Sequence, residues 1–384
     1  MAIDYSKQSI DKTDILKVTK ALREKLITTG NKVPEFEKKI SNFVGSKFSV
    51  AVNSATSALH IACMALGLKK NDFLWTSCNT FVASANCGIY CGAKIDLIDI
   101  DKNDYNLSII ELTKKLEKAK KANKLPKILI PVHFSGYSCH MKEIAKLSKF
   151  YGFKIIEDAS HAFGGYYKNK NIGSCKYSDI TVFSFHPTKI ITTIEGGVAC
   201  TNSKKINLEM IKYRSHGIER KKRQMNNTFV NYYQDQLGYN YRMNDVQAAL
   251  GISQLNKVRK FAMKRKKIAK FYTNNLDTRF FTFPSVEQIN NSTNHLFVAR
   301  FKYLNKKINR DKLYVFLNKK GIGANIHYIP LHYHPYIKKL LKIKKFEHSE
   351  KYYSEAISLP VHPELSQKNL LKIINTINYF TKEI

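Results

Sequence analysis

Phe183-Ser184-Phe185-His186-Pro187-Thr188-Lys189-Ile190-Ile191-Thr192-Thr193-Ile194-Glu195-Gly196-Gly197 holds one lysine in a stretch almost free of other charge, in a chain crowded with lysine elsewhere. Taking an amine out of water lowers its pKa and makes Lys189 a nucleophile or Schiff-base former; the alternative is a side chain that snorkels to the surface. The flanking runs, Thr181 to Phe185 and Val198 to Thr201, are β-branched and aromatic and read as strands, so Lys189 follows a strand's carboxyl end. Working toward the N-terminus, Phe48 to Val52, Phe73 to Thr76, Lys94 to Ile98, Ile128 to Val132 and Phe153 to Glu157 read as further strands. Helical patterns at Thr56 to Leu66, Phe81 to Tyr90, Ser108 to Lys121 and Met141 to Tyr151 separate most of them. This alternation predicts an α/β fold whose mainly parallel seven-stranded sheet is covered by helices. Past Met243 one long helix, Asp245 to about Asn274, is expected to lead from a large domain (residues 1–245) into a small α+β domain (246–384). Arg220 to Tyr233 is polar enough to be a mobile loop.

Open parallel sheets bind ligands beyond the carboxyl ends of their strands, and three more clusters draw notice on that basis. Asn53-Ser54-Ala55-Thr56-Ser57 is a hydroxyl-rich turn entering a helix, suited to a phosphate or simply to N-capping. Ile155-Ile156-Glu157-Asp158-Ala159-Ser160-His161 ends an apolar strand on a carboxylate. Buried, Asp158 needs a cation or strong donor such as a protonated pyridine nitrogen; otherwise it caps the next segment. Leu237 to Asp245 opens the long helix, where Asn244 or Asp245 serves as N-cap, while Asn240 and Arg242 suit an anion site on a neighbouring subunit.

The 384 residues, 43% hydrophobic and 12% aromatic, can bury a large core, which excludes a disordered chain. Against 30 acidic residues stand 64 basic ones, a net charge of +34, which invites a polyanion partner. Only ten of the 64 are arginine, and the lysines alternate with apolar residues as on solvated helix faces, so no nucleic-acid partner is expected. No GxGxxG follows a strand and no GxxxxGK[ST] occurs, which leaves dinucleotide and P-loop sites without support. Cys63, Cys78, Cys87, Cys91, Cys139, Cys175 and Cys200 contain no CxxC pair and read as free thiols of a reducing compartment; with no membrane-length apolar run, a cytoplasmic protein is expected. His327, His332 and His334 have a metal-like spacing, but with no acidic neighbour to complete a ligand set, no metal is expected.

Together these motifs resemble the DegT/DnrJ/EryC1/StrS family of sugar aminotransferases. The likeness runs from Thr29-Gly30 through Asn53 to Leu59, Glu157 to Ala162, Ser184 to Lys189, Arg214-Ser215-His216-Gly217 and Gly238 to Asp245. It implies a pyridoxal-phosphate (PLP) enzyme of fold type I, with Lys189 as Schiff-base lysine and proton carrier and Asp158 paired with the pyridinium nitrogen. The resemblance further implies that His161 lies by the cofactor's phenolic oxygen and Phe81 stacks on its ring. Thr56, Ser57 and Ser184 would hold its phosphate, with Asn240 reaching in from the partner of a homodimer. Pro131 to Gly136, Asn325 to His332 and Tyr352 to Pro360 are most like the branch acting in the pseudaminic acid pathway. There L-glutamate would be the amine donor and a UDP-linked 4-keto-6-deoxy sugar the acceptor, with His216, His327 and Tyr328 lining the substrate site; a sibling enzyme acting on another keto sugar is the alternative. Ile194 departs from the family's glycine, and because a β-branched residue disfavours positive φ, the loop after Lys189 is expected to take a different course.

Overall fold

The computed structural model describes residues 2–382 except 220–222, 226–227, 303–307 and 343–344. Seven short strands form the large sheet: β1 (Phe48–Val52), β2 (Phe73–Ser77), β3 (Lys94–Ile98), β4 (Ile128–Ile130), β5 (Lys154–Asp158), β6 (Ile180–Ser184) and β7 (Gly197–Thr201). Their order is β1-β7-β6-β5-β4-β2-β3. β2 to β6 and β3 run parallel, and β7 alone is antiparallel to both of its neighbours. All five residues of β6 and of β7 are buried, as central strands covered on both faces must be.

The covering helices are α1 (Lys12–Leu22), α2 (Lys32–Val44), α3 (Ala55–Ala65), α4 (Ala83–Tyr90), α5 (Ile109–Lys121), α6 (Met141–Tyr151) and α7 (Lys204–Arg214). Phe36, Ile40, Phe163, Phe183, Phe185 and Val198 fill the core on one face of the sheet, while Val52, Leu59, Ile61, Ile130, Ile156 and Val182 fill it on the other. The long helix expected from Asp245 is two, α8 (Asp245–Leu255) and α9 (Val258–Asn275), parted at Asn256-Lys257. Ala248 of α8 and Val258 and Phe261 at the start of α9 share the core with Phe36, whereas Ile268 and Tyr272 further along α9 pack on the second sheet. At the joint the Lys257 ammonium bonds the buried carboxylate of Asp14 at 2.6 Å, tethering α1 to the turn. Asp245 reaches back to accept from the amides of Gly30 (2.8 Å) and Lys32 (2.7 Å) at the start of α2.

The second sheet is antiparallel, β8 (Phe281–Thr282), β9 (Phe297–Phe301) and β10 (Ala356–Leu359), and its core takes in Leu313, Ile373 and Ile377 from flanking helices. Ile3, at the other end of the chain, bridges to Ile322 and joins this core. Within the stretch expected to be a loop, Arg223–Met225 pairs with Thr228–Val230 as an antiparallel ribbon, driven by the β-prone Thr228-Phe229-Val230; residues 220–222 and 226–227 lie outside the described residues. Among the described residues no helix is long and apolar enough to cross a membrane, and all seven cysteines are free, six of them buried.

Candidate active site

β5 and β6 are parallel neighbours, so their carboxyl ends bring Asp158, Ser184 and the Lys189 loop to one edge of the sheet. Asp158 is buried. Its Oδ2 accepts a 2.6 Å bond from Ser84 Oγ and its Oδ1 a 3.1 Å bond from the Ser160 amide. Lys189 is half-buried, and the space behind it, lined by Gln8, Ile190, Gln254 and Arg265, is closed to about 10 Å³. Desolvation lowers its ammonium pKa to about 8; the attraction of Asp158 opposes that shift and the Arg265 guanidinium adds to it. Ile194, in the same loop, takes φ +70°, a left-handed conformation that a β-branched residue disfavours. Short polar contacts enforce it: the Ile194 amide donates to Thr192 Oγ1 (2.9 Å) and Thr193 Oγ1 to the Glu195 carbonyl (2.8 Å), while the Ile194 side chain escapes into solvent.

His161 is buried directly after Ser160, whose amide bonds Asp158. Its Nε2 lies 2.9 Å from Tyr328 Oη, its Nδ1 is buried without a partner, and its ring sits 4.4 Å from that of His295. Burial, with the charges of Lys189 and His327 assisting, pushes its pKa well down, so the imidazole is neutral. His327 is held at Nδ1 by Ser358 (2.9 Å) and faces Tyr5 Oη at Nε2 (3.4 Å), with its pKa lowered by burial to about 3. The Tyr328 amide bonds Asn79 Oδ1 at 3.1 Å and its ring lies 6.3 Å from that of Phe81, which is 57% exposed at the mouth of the site.

At the hydroxyl-rich turn, Ser54 caps α3 by accepting from the Ser57 amide (3.1 Å), and Ser57 Oγ donates to Asn53 Oδ1 (2.7 Å). Gly197 lies directly against this turn: a Cβ there would stand 2.5 Å from the Ser54 backbone. Thr56 is half-buried beside Ser57, and a bridge from Val52 to Arg242 brings the segment carrying Asn240 next to them. Asn240 is exposed, and His216 stands beside it, its amide on the Tyr239 carbonyl (2.9 Å), rather than with His327 and Tyr328. The fold thus gathers Lys189, Asp158, His161, Ser184, Phe81, His327 and Tyr328 at one strand edge, with Thr56 and Ser57 flanking it. Sequence reading overlooked Ser84, Asn79, Tyr5 and Arg265. Ser84 had a signal, a hydroxyl one turn into the helix after Phe81, whereas Tyr5 and Arg265 arrive from remote segments that carry none.

The three histidines do not converge. His332 bonds Cys78 Sγ (3.1 Å) and Glu350 (2.9 Å), while His327 bonds Ser358. Glu350, delivered by a helix, reaches His332 but completes no ligand set with the other histidines. Among the described residues no three potential ligands gather as a metal site.

The donor set fits pyridoxal phosphate. A buried carboxylate suits a pyridinium, an unpartnered ring nitrogen lies within reach of the charge of a depressed-pKa amine, and hydroxyls at a helix N-terminus suit a phosphate. On this sheet order the array defines a PLP-dependent aminotransferase of fold type I. A model of the DegT/DnrJ/EryC1/StrS aminotransferase family matches residues 8–378, and the chain belongs to that family. It is 38% identical over 376 residues to the UDP-4-amino-4,6-dideoxy-N-acetyl-beta-L-altrosamine transaminase of Campylobacter jejuni, covering 98% of this chain and 96% of the relative. Helicobacter pylori PseC, described as an aminotransferase involved in the biosynthesis of pseudoaminic acid, superposes with a TM-score of 0.89 at 29% identity, each chain covered fully (100%). The PLP-form of Spr1654 from Streptococcus pneumoniae gives 0.88 at 25% identity, with 100% and 99% covered.

Proposed function

We propose that this aminotransferase moves an amino group from L-glutamate to C4 of a UDP-linked 4-keto-6-deoxy-N-acetylhexosamine, giving UDP-4-amino-4,6-dideoxy-N-acetyl-beta-L-altrosamine. The observation that carries the reading is the end-to-end match at 38% identity to a transaminase of that name. The placing of His327 and Tyr328 beside His161 supports it.

Bound pyridoxal phosphate supplies an aldehyde carbon for the amine and a ring that takes up electrons when the neighbouring carbon loses its proton. Asp158, its carboxylate fixed by Ser84 and the Ser160 amide, would pair with the ring nitrogen. Lys189 would move the proton at Nζ, and a pKa lowered to about 8 makes the amine largely free at mildly alkaline pH. Tyr328 fixes the neutral His161 ring through Nε2, and the buried, unpartnered Nδ1 would meet the cofactor. Thr56, Ser57 and Ser184 would hold the phosphate, joined in a homodimer by Asn240 of the partner subunit. His327 and Tyr328 face the sugar, and His216 belongs to the substrate site across the subunit boundary. Nucleotide-sugar chemistry and seven unpaired thiols support a cytoplasmic enzyme.

The test is turnover with glutamate and a panel of 4-keto and 3-keto nucleotide sugars. A 4-amino UDP-sugar and 2-oxoglutarate are the expected products; turnover of a 3-keto substrate alone overturns the assignment in favour of a sibling enzyme.

A further inference from the structure

Cys78 follows β2 directly, and its thiol lies 3.1 Å from His332 Nδ1, while His332 Nε2 lies 2.9 Å from Glu350 Oε1. A thiol, an imidazole and a carboxylate in line have the geometry of an activated nucleophile. The surroundings rule that use out. Cys78 and His332 are both buried, and burial pushes the thiol up to about 12 and the imidazole down. The thiol therefore keeps its proton and donates it to Nδ1, and the neutral ring donates its Nε2 proton to Glu350.

The line joins two parts of the fold. Glu350 lies on the helix Glu347–Glu355, whose first turn is pinned to the end of β3 by Asp99, which accepts from the His348 and Ser349 amides (2.9 Å each) and Ser349 Oγ (2.6 Å). Glu350 Oε1 also accepts from the Phe346 amide (2.9 Å). His332 sits in the segment that carries His327 and Tyr328, and the Leu331 amide bonds the Cys78 carbonyl (3.0 Å). Cys78 in turn begins the loop that presents Asn79 to the Tyr328 amide, Phe81 to the mouth of the site, and Ser84 to Asp158.

We propose that His332 is a positioning residue for the cofactor site: held by Glu350, its ring grips Cys78 and so sets the loop 78–84 that aims Phe81 and Ser84. The cofactor consequence rests on the placement of Phe81 and Asp158 proposed above; the mechanical grip does not.

Cys78→Ser keeps a donor of similar size at this site and Cys78→Ala removes it, so the pair separates the bond from packing. In enzyme stripped of cofactor, amide hydrogen exchange across residues 78–86 is expected to rise about fivefold in Cys78→Ala and to stay within about twofold in Cys78→Ser. The PLP dissociation constant should move in parallel, with Phe81→Leu as a control. Glu350→Ala against Glu350→Gln provides a second pair with the same expected pattern. Equal exchange in Cys78→Ala and Cys78→Ser, or wild-type exchange in Cys78→Ala, overturns the proposal. Raised exchange in Cys78→Ala, with PLP affinity indifferent to Phe81→Leu, upholds the grip and overturns the placement of Phe81 instead.

Discussion

Lys189 owes its chemistry to desolvation, which brings its pKa from 10.5 to about 8. Lys189→Ala should abolish the visible absorption of lysine-bound cofactor and cut turnover by at least about 10³-fold; a variant that keeps the band refutes the assignment. Linkage gives the same group a second signature. The unfolded chain holds this proton more tightly than the folded one, so cofactor-free enzyme should gain stability from this site as pH rises from about 8 to about 10.5. Urea midpoints of wild type and Lys189→Met across that window should diverge, wild type having the steeper rise. Ile194 poses a different question. Its φ of +70° strains a β-branched backbone, while its side chain is 56% exposed and packs little. Relief of the strain offsets the extra freedom glycine gives the unfolded chain, so Ile194→Gly should be neutral or stabilising by about 0.5 kcal/mol in urea titration; a loss above ~1 kcal/mol would show that the side chain packs after all.

Elements meet at this site with little slack. The start of β7 lies so close to the α3 turn that a Cβ at Gly197 would stand 2.5 Å from Ser54 and Ala55 backbone atoms. Backbone on both sides cannot yield as a flexible side chain would, so Gly197→Ala should cost about 2 kcal/mol in urea unfolding and weaken cofactor phosphate binding by disturbing Ser57. Full stability and PLP affinity in that variant would contradict the packing. The same principle explains which elements were legible in the sequence. Strands β1 to β7 were readable because each is a short apolar run bounded by turn residues, and α3 and α6 because their caps and periodicity are local. The division of Asp245 to Asn275 into α8 and α9 was not, because the joint depends on Asp14 drawing Lys257 from a separate helix. Nor was the ribbon within 223–230, whose polar residues mask a β-prone edge.

Across the whole molecule, Ile15, Leu16 and Leu22 of α1 lie exposed with Leu26 and Ile27 just beyond, an apolar surface of the kind a partner copy covers. Sedimentation should show a dimer, and Leu16→Glu combined with Leu22→Glu should shift it to monomer with weakened PLP retention; a monomeric wild type that holds PLP tightly would sink the shared site. The net charge of +34 meets only small anions in this reading: a phosphate, a carboxylate and a nucleotide diphosphate. The sheet and its mainly parallel sense were legible in the residues because hydrophobic period and turn residues are local signals, whereas the cofactor followed from the resemblance of the motifs around Asp158 and Lys189 to a known family. Only the folded chain shows that Ser84 grips Asp158, that Tyr328 holds His161, that His216 stands apart from them, that Arg265 lies near Lys189, and that Tyr5 meets His327. Those pairings join residues far apart in the chain, and whether a buried charge is tolerated or a proton released depends on what the fold places beside it, which no local pattern records.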